Sequence, residues 1–431
     1  MTSLRTPTPA DTWSRGQLVG FLAVLAALSM LGPFSIDTPF PAFSQMGRDF
    51  AVSSDQMQYV VSAYLVAFGL MSPFHGPLSD AVGRKPVILV GISLYVLASV
   101  GAAFSTSLEM LLAFRVLQGL SAGGGVIVGR TLVRDLFDGP QAQKLMSQVM
   151  MLFGLAPAIA PIIGGWLLQA GAWPVVFWFM AGVGTLLVLA VAFTLPETHP
   201  VERRTPLRVG SLLGSLVEVS RSVRFHRIAW AAALTFGGQF LYIGAAPIIV
   251  VDLLGKGELD FWMLFVPLIS GVVLGSWVSS RAAGRVAGRR LVNAAMTVSL
   301  TAAVLNVGLA GFSGTSVLPW VVLGPALIAV GTAAAYPTLQ LALLDMFPES
   351  RGAAVSMFTF FTLLQNGLTA ALVAPHVTGS MLQLAVAALV MVAAGTLLWV
   401  LHVRLVPAPV AHTPVAHESA APAPESGATR D

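Results

Sequence analysis

The sequence predicts an all-α membrane protein: twelve transmembrane helices in two six-helix bundles, with both termini on the cytoplasmic side. Three observations carry that expectation. Of the 431 residues, 56% are hydrophobic and only 10% charged, with a mean hydropathy of +0.82, whereas soluble chains are roughly 25% charged. Twelve apolar runs, each long enough to cross a ~30 Å hydrocarbon core as a helix, can be laid between short polar breaks. The runs are too long and continuous for barrel strands, which alternate over about ten residues. Finally, with the N-terminus inside, twenty Lys and Arg residues fall in cytoplasmic segments and only Arg48 and Lys256 on the opposite face, the asymmetry of the positive-inside rule.

Composition also excludes several classes of function. There is no Cys, hence no disulfide, thiolate metal site or Cys nucleophile. The net charge of +4 comes mostly from arginines lying between hydrophobic runs, so membrane lipids, not nucleic acid, are the expected partner.

Taken in order, residues 1–16 read as a cytoplasmic tail, since Arg5, several prolines and Asp11 precede the first apolar run without a cleavage pattern. Spans are expected at about 17–41, 57–78, 86–105, 108–132, 143–169 and 173–195, and then at 228–253, 260–281, 290–312, 317–346, 351–375 and 379–404. The first six form an N-terminal bundle, 17–195, and the last six a C-terminal bundle, 228–405. Between them, 196–227 is a cytoplasmic linker with six arginines. Its Val209, Leu212, Leu213, Leu216 and Val223 recur at helical spacing opposite Arg208, Ser215, Glu218 and Arg221, which predicts an amphipathic helix on the inner membrane surface. Residues 406–431 are rich in Pro and Ala and are expected to be a disordered cytoplasmic tail. His412 and His417, two lone histidines there, are a weak metal signal, and no metal site is expected. Gly83-Arg84-Lys85 recurs as Gly288-Arg289-Arg290 at a shift of 205 residues, a weak repeat of the kind that relates transporter halves, whose substrate site lies where they meet.

Asp37, in Phe34-Ser-Ile-Asp-Thr-Pro-Phe-Pro41 at the far end of span one, is the acid most plausibly deep in the membrane. An ionisable group there marks a proton or substrate path. Arg115 lies about one turn into span four, in Arg115-Val-Leu-Gln118-Gly119. It reads either as a guanidinium held by internal partners or as one snorkelling to the outer headgroups near Glu109. Gly76-Pro-Leu-Ser-Asp80-Ala-Val-Gly83-Arg84-Lys85 joins spans two and three with hardly any slack. In span five, Gly154, Pro157, Pro161, Gly164 and Gly165 combine two helix-bending prolines with glycines that allow close packing. Tyr64, Phe68, Gln118, Gln239, Tyr242, Tyr336 and Asn366 are polar or aromatic residues within apolar spans. As substrate contacts they compete with ordinary helix packing, which accounts for each at least as well. His75 reads as structural.

The loop with Gly76, Leu78, Asp80, Gly83, Arg84 and Lys85 in register resembles the signature loop of the major facilitator superfamily. Arg115-x-x-Gln118-Gly119 resembles that superfamily's proton-coupling motif, and the fifth-span prolines and glycines resemble its antiporter motif, with Ala160 in place of the usual Gly. With Gly129-Arg-Thr-Leu-Val-Arg134-Asp135-Leu-Phe137 and Leu195-Pro-Glu-Thr198, these stretches resemble the Bcr/CflA group of drug:proton antiporters. The resemblance is carried by the N-terminal half; the C-terminal half matches in layout and in the Phe347-Pro-Glu-Ser-Arg-Gly352 loop, and Arg285 stands where a second Asp80 would. It implies a monomeric transporter of the bacterial inner membrane that takes a small-molecule substrate and protons and needs no cofactor. Asp37 and Arg115 would couple proton movement. Gly76, Asp80, Gly83, Arg84 and Asp135 would form a conformational latch, with Asp80 near residues 350–353 and Arg84 paired to Asp135. The expected function is proton-coupled export of small amphipathic or hydrophobic compounds by alternating access. Export of an endogenous metabolite or siderophore is the alternative. An intramembrane enzyme or receptor is the remote one, since no His-Glu-x-x-His motif, nucleotide loop, paired intramembrane carboxylates or soluble domain is present.

Overall fold

The computed structural model describes residues 13–137, 139–204, 208–312, 318–347 and 350–406. Residues 1–12 with Arg5, residues 407–431 with His412 and His417, and Pro348 and Glu349 lie outside the described residues.

Helix α1, Arg15–Asp37, starts at a capping box in which the Ser14 hydroxyl and the Gln17 side chain each accept the other residue's backbone amide. It ends four residues before the expected limit, because Pro39 and Pro41 have no amide with which to continue the ladder. A single 3-10 turn at Phe40–Ala42 follows, then the short helix α2, Phe43–Asp49. Helix α3, Ser54–Val82, opens on a second capping box, Ser53 with Gln56, and runs through Pro73 and Pro77. Helix α4, Arg84–Ala103, begins after the single residue Gly83. At φ +115°, a side chain would be strained there, and a Cβ would lie 2.7 Å from Glu197 Oε2.

Helices α5, Leu108–Leu136, α6, Gly139–Ala170, and α7, Pro174–Thr194, complete the first set. The linker contains α8, Val209–Ser220. Then come α9, Val223–Gly244, α10, Trp262–Ala282, α11, Gly288–Gly311, and α12, Trp320–Met346. Last are α13, Arg351–Leu368, the short α14, Ala374–Val377, and α15, Met381–Leu405. Wide π-type turns at Ile248–Leu253 and Thr369–Val373 follow α9 and α13, so the seventh and eleventh expected spans are straight helices with loosened ends. Among the described residues, ten helical segments are long and apolar enough to cross a membrane. The two expected spans outside that number correspond to α6, of which 154–170 is a shorter apolar stretch, and to α9.

Helix α1 packs on α5, α6 and α7, α3 on α5, and α4 on α5 and α7. In the second set α9 packs on α15, α12 and α13, and α12 on α10 and α11. The sets meet along α3–α13 and α6–α10. One hydrophobic core runs from Phe40, Phe43 and Met46 of the first set into Tyr242, Phe261 and Phe265 of the second, so the two sets are fused at the end where Asp37 lies. Phe40 stacks on Phe265 with ring centroids 6.2 Å apart, Gln45 donates to Glu258 at 3.1 Å, and Thr378 donates to Asp55 at 3.3 Å. At the opposite end, marked by Arg84, the second set has its own core, which takes in Leu216 and Val219 of α8. Leu212 and Leu216 of the linker helix's apolar stripe are thus turned onto protein, where α8 meets α9 and α13, while Leu213, Val217 and Val223 stay exposed.

Close approach of α10 and α12 depends on Gly271 and Gly275, which face the carbonyls of Ala326 and Val330. A Cβ at Gly275 would meet the Val330 carbonyl and lie 3.0 Å from the Ala333 Cβ. Gly275→Val is therefore expected to destabilise the protein by about 1–3 kcal/mol, whereas Gly182→Ala, where nothing lies within 4 Å, is expected to be neutral or slightly stabilising. Thermal unfolding of both variants in detergent measures the contrast.

Candidate functional site

Several buried polar residues of the first set form a connected group. Arg115 of α5 is fully buried, which excludes snorkelling. Its Nε donates to the Val60 carbonyl of α3 at 3.0 Å and one terminal nitrogen to Gln118 Oε1 at 2.8 Å. The guanidinium also lies over the Tyr64 ring, 4.6 Å from its centroid. Gln118 passes the chain of bonds to α4 by donating to the Ser99 hydroxyl at 2.7 Å. One turn earlier on α4, the Tyr95 hydroxyl meets that of Ser35 on α1 at 2.6 Å. A single network therefore ties α5 to α3, α4 and α1.

Asp37 is buried two residues beyond Ser35, at the last position of α1. Its Oδ1 has no hydrogen-bond partner, as is true of Arg115 Nη2. Asp37 and Arg115 make no ion pair; Tyr64 stands within electrostatic reach of both. The antiporter-motif glycines of α6 bear on the same place. A Cβ on Gly164 would strike the Thr38 carbonyl, next to Asp37, and one on Gly165 would strike the Glu258 carbonyl of the second set. Those two glycines let the exit of α1 and the second set close on α6. Gly154 has nothing within 4 Å, and Pro157 and Pro161 lie inside the helix.

The remaining expected contact residues separate into groups. Phe68 packs edge-on to Tyr64 at 6.1 Å. In the second set Asn306 of α11 donates to the Tyr242 hydroxyl at 2.5 Å. Tyr336 joins an aromatic cluster with Phe236 and Phe358. Gln239 is buried on α9, and Asn366 is buried on α13 with Oδ1 unpartnered. An open apolar groove of about 450 Å³ between α3 and α5, lined by Tyr59, Val66, Leu70, Leu112, Val116 and Leu120 among others, includes none of these residues. His75 bonds the Met71 carbonyl at 2.9 Å and packs against Gly123.

Sequence reasoning missed Ser35, Tyr95, Ser99, Gln58 and Gln365. Tyr95 and Ser99 at i and i+4 on span three were the available signal, a polar pair on one helix face. Gln58 is fully buried with both side-chain polar atoms unpartnered. Its position at the edge of an apolar run resembled an ordinary boundary residue.

At the other end, Arg84 donates to Asp135 at 3.1 Å and pairs with Asp80 on its own helical flank. Asp80 bonds to none of the described residues 350–353. The α3–α13 contact sits instead nearer the Asp37 end, where Gly367 approaches Val66 and Ser62. The Leu195-Pro-Glu-Thr198 exit of α7 closes over Gly83: Glu197 accepts from the backbone amides of Arg84 at 3.0 Å and Lys85 at 3.2 Å. Thr198 donates to Asp135 at 2.8 Å. A carboxylate on the first amides of a helix satisfies orphan donors and meets the positive end of the dipole. Glu197→Ala is expected to cost about 1–2 kcal/mol of stability and Glu197→Gln less, read from unfolding midpoints; unchanged midpoints would remove Glu197 as the cap.

Comparison with known proteins agrees with this fold. The sequence profile of the Major Facilitator Superfamily matches residues 22–370. A protein of Haemophilus influenzae described as a bicyclomycin resistance protein homolog is 32% identical over 280 residues, 64% of this chain and 70% of that one. Multidrug resistance protein D of Escherichia coli is 31% identical over 268 residues, 62% of this chain and 67% of the other. Among solved structures, a D-xylose-proton symporter superposes with a TM-score of 0.71 at 13% identity, covering 90% of this chain and 98% of the symporter. A bacterial homolog of the human lysosomal transporter Spinster, in an inward-facing and unoccupied conformation, superposes with a TM-score of 0.71 at 16% identity, covering 92% and 100%. The family profile spans most of the chain and the fold is shared end to end; the protein belongs to the major facilitator superfamily.

Proposed function

We propose that this protein is a proton-coupled antiporter of the bacterial inner membrane that exports small amphipathic or hydrophobic compounds by alternating access. In this reading it crosses the membrane twelve times with both termini in the cytoplasm. Residues 17–195 and 228–405 act as the two moving bundles and 196–227 as the link between them. The Arg84 end then faces the cytoplasm. The names of relatives concerned with bicyclomycin and multidrug resistance support the export of drug-like compounds.

The observation that carries the reading is Asp37, a buried carboxylate with a free oxygen and no ion pair. A carboxylate locked to an arginine is a structural group; one without a fixed counter-ion can take a proton from one side and release it to the other. Arg115 is held in place by Val60 and Gln118, and Tyr64, under its guanidinium, is within electrostatic reach of both Arg115 and Asp37. Fusion at the Asp37 end corresponds to a state closed to the outside, in which Asp80 is free of α13. Opening outward would break the Gln45–Glu258 and Thr378–Asp55 bonds and bring Asp80 toward α13.

One proton moving through 100 mV supplies ~2.3 kcal/mol, enough to hold roughly a 50-fold gradient of a neutral substrate, since ~1.4 kcal/mol is tenfold. In proteoliposomes with an imposed pH gradient, wild type is expected to drive uphill movement of bicyclomycin or a lipophilic dye. Asp37→Asn is expected to lose that uphill movement while still being stabilised thermally by the same compound. Undiminished uphill transport by the variant would overturn the assignment of Asp37.

A further inference from the structure

At the Arg84 end, the second set of helices carries basic residues that no described carboxylate neutralises. Arg224 and Arg227 lie in the first two turns of α9, Arg289 on the first turn of α11 and His402 on the last turn of α15. Helix α15 packs on both α9 and α11, so three helix ends bring these residues together, with His402 within electrostatic reach of all three arginines. Glu218 of α8 and Asp345 of α12, acids carried at this end, pair with none of them.

The cluster is built, not merely basic. Trp399 is buried and donates to Asn293 of α11 at 2.7 Å, and the His402 ring stacks on it with centroids 5.6 Å apart and planes 16° from parallel. Arg289 is turned onto the Val403 and Val406 carbonyls, at the negative end of α15. That leaves two buried nitrogens without partners, Arg227 Nε, which is a donor, and His402 Nδ1, which is a donor in one tautomer. From the end of α15 inward, Leu405, Leu401 and Leu397 form an exposed stripe, and Val298, Val304 and Leu305 are exposed on α11.

An uncompensated basic site, two unpartnered buried nitrogens and apolar helix faces leading away from it together match one kind of ligand, an anionic phosphate on two acyl chains. We propose that Arg224, Arg227, Arg289 and His402 form a binding site for the headgroup phosphate of one anionic phospholipid, whose chains lie along α11 and α15. Arg224 and Arg227 meet the phosphate, while Arg289 contributes charge from its place on α15. The site does not depend on the transported substrate or on proton coupling.

The test is native mass spectrometry of the full-length protein, delipidated in detergent and titrated with dioleoyl phosphatidylglycerol, with dioleoyl phosphatidylcholine, or with inorganic phosphate. One phosphatidylglycerol is expected to be retained in preference to phosphatidylcholine. Arg224→Gln with Arg227→Gln should weaken retention about 30-fold, at about 1 kcal/mol per surface arginine. Arg285→Gln with Arg290→Gln, arginines at the same end but outside the cluster around His402, should change it by no more than about threefold because they stand away from the bound phosphate and act on it only through screened solvent. If the first pair does not purify, Arg227→Gln alone should weaken retention about fivefold. Equal retention of both lipids, equal losses in the two double variants, or inorganic phosphate displacing the lipid at equal concentration would overturn the proposal.

Discussion

A guanidinium buried among apolar helices has to be held by the protein itself, because no solvent reaches it and an unpaired charge there costs several kcal/mol. Arg115 is held by a backbone carbonyl of α3, a glutamine of its own helix and the face of Tyr64. Through Gln118 and Ser99 its bonds continue to α4, and the Tyr95–Ser35 contact one turn away secures α1. Four helices are therefore positioned by one polar chain, and Asp37, just beyond its last member, inherits a defined place without being tied into it. That combination of fixed surroundings and a free carboxyl oxygen is what lets a single acid serve as a carrier in the proposed mechanism.

The two ends of the molecule are organised by opposite means. Near Asp37 the halves share aromatic stacking and a continuous apolar core, made possible where Gly164 and Gly165 remove the side chains that would hold α6 away. Near Arg84 the interactions lie within each half. Glu197 and Thr198 fold back over the α3–α4 junction, Arg84 and Asp135 pair inside the first set, and α8 docks on α9 and α13. Among the described residues, Gln45–Glu258 and Thr378–Asp55 are polar contacts between the halves, whereas the polar contacts at the Arg84 end tie each half to itself.

Much was legible along the chain because membrane helices announce themselves through length and apolarity, and local chemistry sets their ends. Ser14, Ser53, Ser107, Ser222 and Ser380 cap helices, and the run after Asp37 carries its own prolines. Gly83 stood out because a connection with so little slack needs a residue free of Cβ strain. Asp37 and Arg115 stood out because charge is scarce in apolar runs. Gln58, Tyr95 and Ser35 did not, since an uncharged polar residue within a span is ordinary until its neighbours are known. The linker helix showed its apolar stripe in sequence, but a stripe does not say whether lipid or protein will cover it.

By itself, then, the sequence determined the class of fold, the helices, their caps and breaks, and the scarce charges that demanded partners, because these follow from residue type and from spacing along one helix. Only the tertiary structure decided which partners those charges found. It left Asp37 unpaired, gave Arg115 to Val60 and Gln118, set Glu197 on the amides of α4 and gathered Arg224, Arg227, Arg289 and His402 from three helices. The physical reason is that each of these contacts joins residues from different helices or depends on what those helices exclude. Helix rotation and approach are set by packing across the whole bundle, which no local pattern contains.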